Sequence, residues 1–92
     1  MDITIGSRVR SFDFAELNGS YGRDLTGERA CYVEGEVIGF EEIEGCQRYR
    51  ILVDRDIFAG EESNRRIGRI ITPPVNGTPT WPDQTTNYVE VV

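Results

Sequence analysis

The first group of residues whose type and spacing could do chemistry is a set of four carboxylates: Asp54, Asp56, Glu61 and Glu62. An Asp-x-Asp pair is typical of calcium loops, which then continue with a glycine and further oxygen ligands. Here the pair continues into Ile57 and Phe58 instead. As catalytic acids, the four residues lack a neighbour that would raise the pKa of one and lower that of another. The spacing therefore favours a solvated strand end and loop, with no metal site.

The cysteines Cys31 and Cys46 lack the partner that nucleophilic catalysis needs. The chain contains no histidine, which is the usual general base near neutral pH and the commonest zinc ligand. Neither a phosphate-binding glycine loop nor a nucleophile elbow is present. We therefore expect a protein that is not an enzyme and has no catalytic residues, no metal and no cofactor. Cys31 is expected to be a small buried hydrophobe.

All ten basic residues are arginines, and they stand against sixteen aspartates and glutamates, for a net charge of −6. A surface this acidic repels phosphate backbones, so the composition argues against nucleic-acid binding. The alternative is a local basic patch that contacts nucleic acid or an acidic peptide. Its members would be Arg65, Arg66 and Arg69, with Arg48 and Arg50 beside them. Cross-strand ion pairs on a solvated face are the favoured interpretation of these arginines.

Several aromatic residues fall outside the expected core. Tyr21, Phe58 and Trp81 lie in three different loops, and Tyr32 begins a strand. Small barrels often bind peptides or methylated side chains with aromatic residues gathered from such loops. The alternative is that Phe58 and Trp81 fold back as lids over the barrel ends, because a small core needs large side chains. If the loops form a surface, the residues expected to bind a protein partner are Tyr32, Phe58, Pro74, Asn76 and Trp81.

The elements that must position these residues are strands. No segment shows a sustained 3.6-residue apolar period, and ten glycines and four prolines punctuate the chain, which favours strands joined by turns. The predicted strands cover residues 5–14, 30–43, 46–56, 65–72 and 87–92. Between them we predict a loop at 15–29 opened by one capped helical turn over 13–16, and a second loop at 57–64. A rigid segment runs from Pro73 through Pro82, because proline cannot donate to a strand ladder.

The second and third predicted strands form a β-hairpin about Glu44 and Gly45. Pairing residues whose numbers sum to 89 gives two apolar pairs and two pairs of opposite charge. The pairs include Phe40 with Tyr49, Ile38 with Ile51, Glu36 with Val53, Glu41 with Arg48 and Glu34 with Arg55. A register that sums to 91 agrees nearly as well, and the choice between the two stays open.

The second strand cannot be straight, because Val33 and Val37 lie on one of its faces while Ile38 and Phe40 lie on the other. A bulge or sharp bend near Val37, helped by the glycines two residues to either side, would turn both sets inward. A strand that bends in this way is how small barrels close. The sequence therefore predicts a five-stranded SH3-like barrel, with residues 1–92 forming a single domain.

Three of the aromatic residues, Phe12, Phe40 and Tyr49, are expected in the core of this barrel. The hairpin also places Cys31 and Cys46 at opposite ends of a long strand pair. Because a disulfide needs Cα atoms within about 7 Å of each other, we expect both thiols to be free.

The beginning of the chain, residues 1–6, has no basic stretch followed by an apolar run. No segment approaches the roughly 20 apolar residues that a membrane span needs. We therefore expect a cytoplasmic protein without a signal peptide or a membrane partner.

Four segments, at residues 5–14, 30–37, 49–54 and 72–80, resemble small uncharacterised SH3-like barrel proteins of marine tailed phages and marine bacteria. The most distinctive piece is the run PPVNGTPT at 73–80. The resemblance implies a bacterial or phage-infected cytoplasm and carries no catalytic residues. With the aromatic residues above, it leads us to expect a protein-interaction or accessory module that binds a protein partner or its own copy. A nucleic-acid-associated barrel that uses the arginine patch is the alternative.

Overall fold

The described part of the chain, residues 2–14, 30–43, 45–80 and 84–92 of a computed structural model, contains strands and no helix. The all-β prediction is confirmed. Within these residues the strands are β1 (Arg8–Ser11), β2 (Tyr32–Ile43), β3 (Cys46–Phe58), β4 (Glu61–Ser63), β5 (Ile70–Ile71), β6 (Pro79–Thr80), β7 (Gln84–Thr85) and β8 (Val89–Val91). The described residues include no helix long and apolar enough to cross a membrane.

Six of the strands form one antiparallel sheet in the order β4-β3-β2-β1-β8, with β5 also pairing on β3. β5 is the middle of a longer segment that runs alongside β3 and forms backbone hydrogen bonds with it. Gly68 donates to the Val53 carbonyl (2.8 Å), and Val75 donates to the Gln47 carbonyl (2.9 Å). Among the described strands, β6 and β7 pair only with each other. No backbone hydrogen bond among the described residues joins β8 to β5. This sheet of six strands is therefore not closed, whereas the sequence predicted a closed barrel of five.

The hairpin of β2 and β3 keeps the predicted register at both of its ends. Three predicted pairs are present: Phe40 with Tyr49, Glu41 with Arg48, and Glu34 with Arg55. Between these ends the register slips by one residue. Ile38 in β2 and Asp54 in β3 are the two extra residues. Each forms a β-bulge, which bends its strand and increases the local twist.

Because of this register shift, the residue pairs in the middle of the hairpin differ from the predicted ones. Two predicted pairs are wrong: Ile38 with Ile51, and Glu36 with Val53. Ile51 pairs with Val37 instead, and Val53 pairs with Gly35. The predicted bulge beside Val37 is confirmed. Ile38 does not turn inward as expected, since it is the bulged residue and its exposed fraction is 38%.

The core that the described residues form is a cluster of buried side chains on one face of the sheet. It contains Val9, Phe14, Cys31, Val33, Val37, Tyr49, Ile51, Val53, Ile71 and Val89. Cys31 is the small buried residue that the sequence predicts, and both Cys31 and Cys46 are free thiols. Phe12 and Tyr49 are buried as expected. The prediction for Phe40 is wrong, because 43% of this residue is exposed.

The chain after residue 56 differs from the prediction. The expected loop at 57–64 contains the end of β3, a turn at Ala59 and Gly60, and β4. Both turn residues have positive φ (53° and 81°), as a type I′ hairpin turn requires. The expected strand at 65–72 is reduced to β5, since residues 65–68 form a turn. It ends before Pro73 as predicted, and the following segment contains β6. The predicted helical turn and the loop at 15–29 lie largely outside the described residues.

Candidate interaction pocket

One end of the core opens into a pocket of about 320 Å³. Its described lining consists of Asp2, Ile3, Phe40, Tyr49, Val75 and Asn76. Ile3 and Val75 are half-buried and pack against the core cluster, to which Tyr49 itself belongs, so the pocket wall is continuous with the core. The ring centroids of Phe40 and Tyr49 lie 5.7 Å apart, with the ring planes at 51°. The pocket combines these apolar walls with the carboxylate of Asp2 and the amide of Asn76.

The bulge at Ile38 places Phe40 in this pocket. In a regular strand, Val37 and Phe40 would point to opposite faces of the sheet. The extra residue brings both to the core face, where Phe40 pairs with Tyr49. Tyr49 is 3% exposed and Phe40 is 43% exposed. One ring is therefore a buried floor, and the other is an accessible wall.

Asn76 forms a fixed part of the pocket rim. Its side-chain amide donates to the carbonyl of Val89 (2.7 Å), and its Oδ1 accepts the N–H of the same residue (3.3 Å). Its backbone N–H donates to the hydroxyl of Tyr49 (3.3 Å). Pro74 is buried and bridges to Arg48. These contacts hold the turn after β5 against both β3 and β8, so the rim does not depend on a bound partner for its position.

The pocket side of the sheet is acidic. Asp2 lines the pocket, and Glu42 lies two residues beyond Phe40 on the same face of β2. Gln47 donates from its side-chain amide to Oε1 of Glu42 (2.9 Å), a contact that orients the carboxylate and leaves its charge in place. None of the described lining residues is cationic. The arginines of the hairpin alternate to the opposite face.

The residues that the sequence predicts as partner-binding do not form one surface in the described part of the chain. Tyr32 and Phe58 lie at the far end of the β2–β3 ladder, with roughly 25 Å of extended strand between them and the pocket. Tyr32 is half-buried, and Phe58 is 45% exposed. Pro74 is buried, and Asn76 is the only one of these four that lines the pocket. Trp81 lies outside the described residues.

Sequence reasoning missed the pocket because it assigned Phe40 and Tyr49 to the core and did not single out Asp2. The pairing of the two aromatic residues was visible in the hairpin register. Their unequal exposure was not visible, because it depends on how far β1 covers β2. Backbone hydrogen bonds between β2 and the chain at and just before β1 reach as far as Val37 among the described residues, so Phe40 projects beyond the part of β2 that is paired on this side.

The three arginines of the predicted basic patch lie in the turn between β4 and β5. Arg66 is engaged by the sheet: its backbone N–H donates to Oδ2 of Asp56 (3.1 Å), and its guanidinium lies 3.8 Å from that oxygen. The guanidinium carbon also lies 4.8 Å from the ring centroid of Phe14. Arg65 and Arg69 are exposed. Arg66 thus attaches the turn to the sheet.

The outer face of the sheet carries a network of ion pairs around Glu34, whose side chain is 6% exposed. Its carboxylate lies 2.6 Å from a guanidinium nitrogen of Arg10, 3.5 Å from one of Arg55 and 3.8 Å from one of Arg8. Arg8 also donates two hydrogen bonds to Asp54 (2.6 and 2.7 Å). These bonds hold the pKa of Asp54 below its ordinary value and raise the pKa of Arg8. The predicted charge pair of Glu34 with Arg55 is confirmed.

The four carboxylates that suggested a calcium loop do not converge. Asp54 and Glu62 each pair with an arginine. Asp56 faces the core side and is 1% exposed, so the expectation that it lies in a solvated segment is wrong. Within the described residues, no group of three or more Cys, Asp or Glu side chains is placed to hold a metal ion.

Comparison of the chain with protein-family models, with curated proteins and with solved structures gives no match. The resemblance to phage and marine bacterial proteins therefore rests on the sequence segments given above.

Proposed function

We propose that this protein is a non-enzymatic interaction module that binds a segment of a protein partner at the pocket beside Phe40. The observation that carries the proposal is an accessible aromatic ring over a fixed floor. Phe40 is 43% exposed, while Tyr49 is buried and Asn76 is held by three hydrogen bonds. A cavity of about 320 Å³ is large enough for one or two side chains. Walls that are already in place reduce the ordering cost of binding.

We propose in addition that the sheet is the body of a partly open SH3-like barrel. The order β8-β1-β2-β3-β5 supports this, because the last strand returns to lie beside the first. The two bulges in the central hairpin supply the bend that a small barrel needs.

Asn76 supplies a further argument for the partly open barrel. The bond from Phe12 N–H to the Tyr88 carbonyl sets the alternation along β8, so Val89 directs its own N–H and C=O away from β1. The side-chain amide of Asn76 forms a hydrogen bond with each of these groups. A side chain thus stands where a closed barrel would place a neighbouring strand.

The proposed setting is the cytoplasm of a bacterium or a phage-infected cell, which is what the sequence resemblance implies. The nucleic-acid alternative has less support. Arg66 is already paired with Asp56, and the net charge of −6 opposes a phosphate backbone.

Selection of random displayed peptides against the full chain tests the proposed function. We expect the selected peptides to lose about fivefold or more of their affinity for Phe40→Ala, because truncating an anchoring aromatic residue commonly costs more than 1 kcal/mol. They should bind Phe58→Ala as they bind the unmodified protein. Phe58 is a matched control, since its exposed fraction of 45% is close to the 43% of Phe40 and it lies at the other end of the ladder.

Several outcomes would contradict the proposal. If no peptide is selected, or if binding survives Phe40→Ala, the pocket is not a peptide site. Loss of binding to Phe58→Ala instead would favour the aromatic surface that the sequence suggested. Salt-sensitive binding of a single-stranded oligonucleotide that is lost when Arg65 and Arg69 are both changed to alanine would favour the nucleic-acid alternative.

A further inference from the structure

We infer that the partner segment presents a cationic side chain, lysine or arginine, to this pocket. The inference rests on the proposed function, because it names the side chain that the same site takes. It combines three features: the exposed ring of Phe40, the carboxylate of Asp2 in the lining with that of Glu42 beside it on the same face of β2, and a described lining without a cation.

The aromatic wall offers a surface to a cation. An ammonium or guanidinium group within about 6 Å of a ring centroid is attracted to the electron-rich face of the ring. The alkyl part of a lysine or arginine side chain can pack on apolar walls while its charged end stays near water. Ile3 and Val75 supply aliphatic walls of this kind below Phe40.

The two carboxylates supply the charge complement. Asp2 is part of the lining, and Glu42 stands about 7 Å along the strand from Phe40. The group that orients Glu42 is the neutral amide of Gln47. A cation in the pocket would contact the carboxylate of Asp2 in the lining and have that of Glu42 beside the pocket on the same face of β2, in a protein whose net charge is −6.

Other occupants use fewer of these features. An acidic side chain would be repelled by the carboxylate of Asp2 in the lining and by that of Glu42 beside the pocket, because like charges at short range repel. An aliphatic side chain would contact the walls but leave the carboxylates without a counterpart. A second copy of this chain carries arginines, but two copies that each have a net charge of −6 repel each other. A basic segment of a different protein is the occupant that agrees with all the features.

Four capped tripeptides that differ only in their central residue test the inference. The sequence is acetyl-Gly-Xaa-Gly-amide, with lysine, arginine, norleucine or glutamate as Xaa. Each is titrated into the ¹⁵N-labelled full chain, and the shifts of the Phe40 and Tyr49 backbone amides and of the Asn76 side-chain amide give the dissociation constant. Norleucine is the matched control, since it lacks only the ammonium group of lysine. We expect lysine and arginine to bind about three- to tenfold more tightly than norleucine, and glutamate to give no shift.

Charge-removing variants locate the source of the preference. Asp2→Asn and Glu42→Gln should each weaken the lysine peptide about two- to fivefold, with the norleucine peptide unaffected. Added salt should reduce the preference for lysine, because exposed charges are screened. Glu36→Gln is the control variant, since Glu36 is exposed and points to the opposite face of β2, and it should leave both peptides unaffected.

The outcomes separate this inference from the proposed function. Equal binding of the norleucine and lysine peptides would overturn the cation inference and leave a peptide site with an apolar preference. Butylammonium that binds as tightly as the lysine peptide would also overturn it, because the occupant would then be a free amine. Absence of shifts with all four peptides would overturn it as well. Only failure of the peptide selection, or its indifference to Phe40→Ala, would remove the proposed function itself.

Discussion

The substitution Gly35→Ala should destabilise the fold more than any exposed change, because the backbone of β3 approaches this position closely. Gly35 is buried and pairs with Val9 of β1 and with Val53 of β3. An added Cβ would overlap the carbonyl oxygen of Leu52, and would lie 2.8 Å from its carbonyl carbon and 3.1 Å from Cα of Val53. All three are backbone atoms. No side-chain rotation can therefore relieve the overlap, and β3 must move away from β2.

The cost follows from what that movement disrupts. A separation of about 1 Å breaks roughly two ladder hydrogen bonds, each of which contributes about 1 kcal/mol. The packing of Val37, Ile51 and Val53 on the core face is strained at the same time, which adds about 1–3 kcal/mol. We expect Gly35→Ala to lower the free energy of unfolding by about 3–5 kcal/mol. A chain of 92 residues has a total free energy of unfolding of roughly 5–14 kcal/mol, so the expected loss is a large part of it.

Urea unfolding followed by circular dichroism measures the effect. Gly39→Ala is the matched control in the same strand. A Cβ at residue 39 would make only a 3.8 Å contact with Cδ of the flexible Arg50 side chain, so we expect a change within about 1 kcal/mol in either direction. Similar midpoints for the two variants would refute the reasoning. They would show that the Leu52 carbonyl does not stand against Gly35 and that the hairpin register differs from the one described.

Three further changes test other contacts. Asn76→Ala should lower the free energy of unfolding by about 1–3 kcal/mol, because the polar groups of Val89 lose their partners; amide exchange at Val89 should speed up, and unchanged exchange would contradict this. Arg8 holds the pKa of Asp54 below its ordinary value of 3.8. The ion pair therefore stabilises the folded state above pH 3.8, and this stabilisation is lost as the pH falls through the lowered pKa of the folded state. Acidification should then lower the free energy of unfolding of the unmodified protein more than that of Asp54→Asn, and the difference should be at most about 1 kcal/mol because the pair is exposed. Acid-unfolding curves of the same shape for the two proteins would exclude a contribution from the pair. Ala59→Asn should raise stability by about 0.5 kcal/mol in thermal unfolding, because asparagine tolerates positive φ, and a lower midpoint would contradict that.

The ends of the central hairpin could be predicted from sequence, and its middle could not. Opposite charges and paired aromatic residues fix the register near Tyr49 and near Arg55. The bulge at Ile38 shifts the register by one residue, and the bulge at Asp54 shifts it back. Because the two shifts cancel, complementarity at the ends is the same with or without them. The misassigned pairs in between follow from that cancellation.

The other errors arose where local residue types do not reveal the tertiary environment. Ala59 adopts a positive φ in the turn before β4, a conformation that alanine rarely takes, so the segment around it resembles an ordinary loop. Asp56 follows two exposed charged residues, Asp54 and Arg55, yet its carboxylate is buried against the backbone N–H of Arg66. The burial of such a carboxylate depends on a partner supplied by a distant turn, which the local sequence does not specify.

The bulge at Ile38 connects the fold to the candidate site. It leaves Ile38 on the outer face and returns Phe40 to the core face, beyond the residues that β1 covers. If Ile38 took a regular position in the ladder and did not bulge, alternation would direct Phe40 to the outer face, away from Tyr49 and Val75. The pocket would then have a buried floor and no accessible wall. The irregularity that bends the central strand is therefore also the feature that gives the proposed binding pocket its accessible wall.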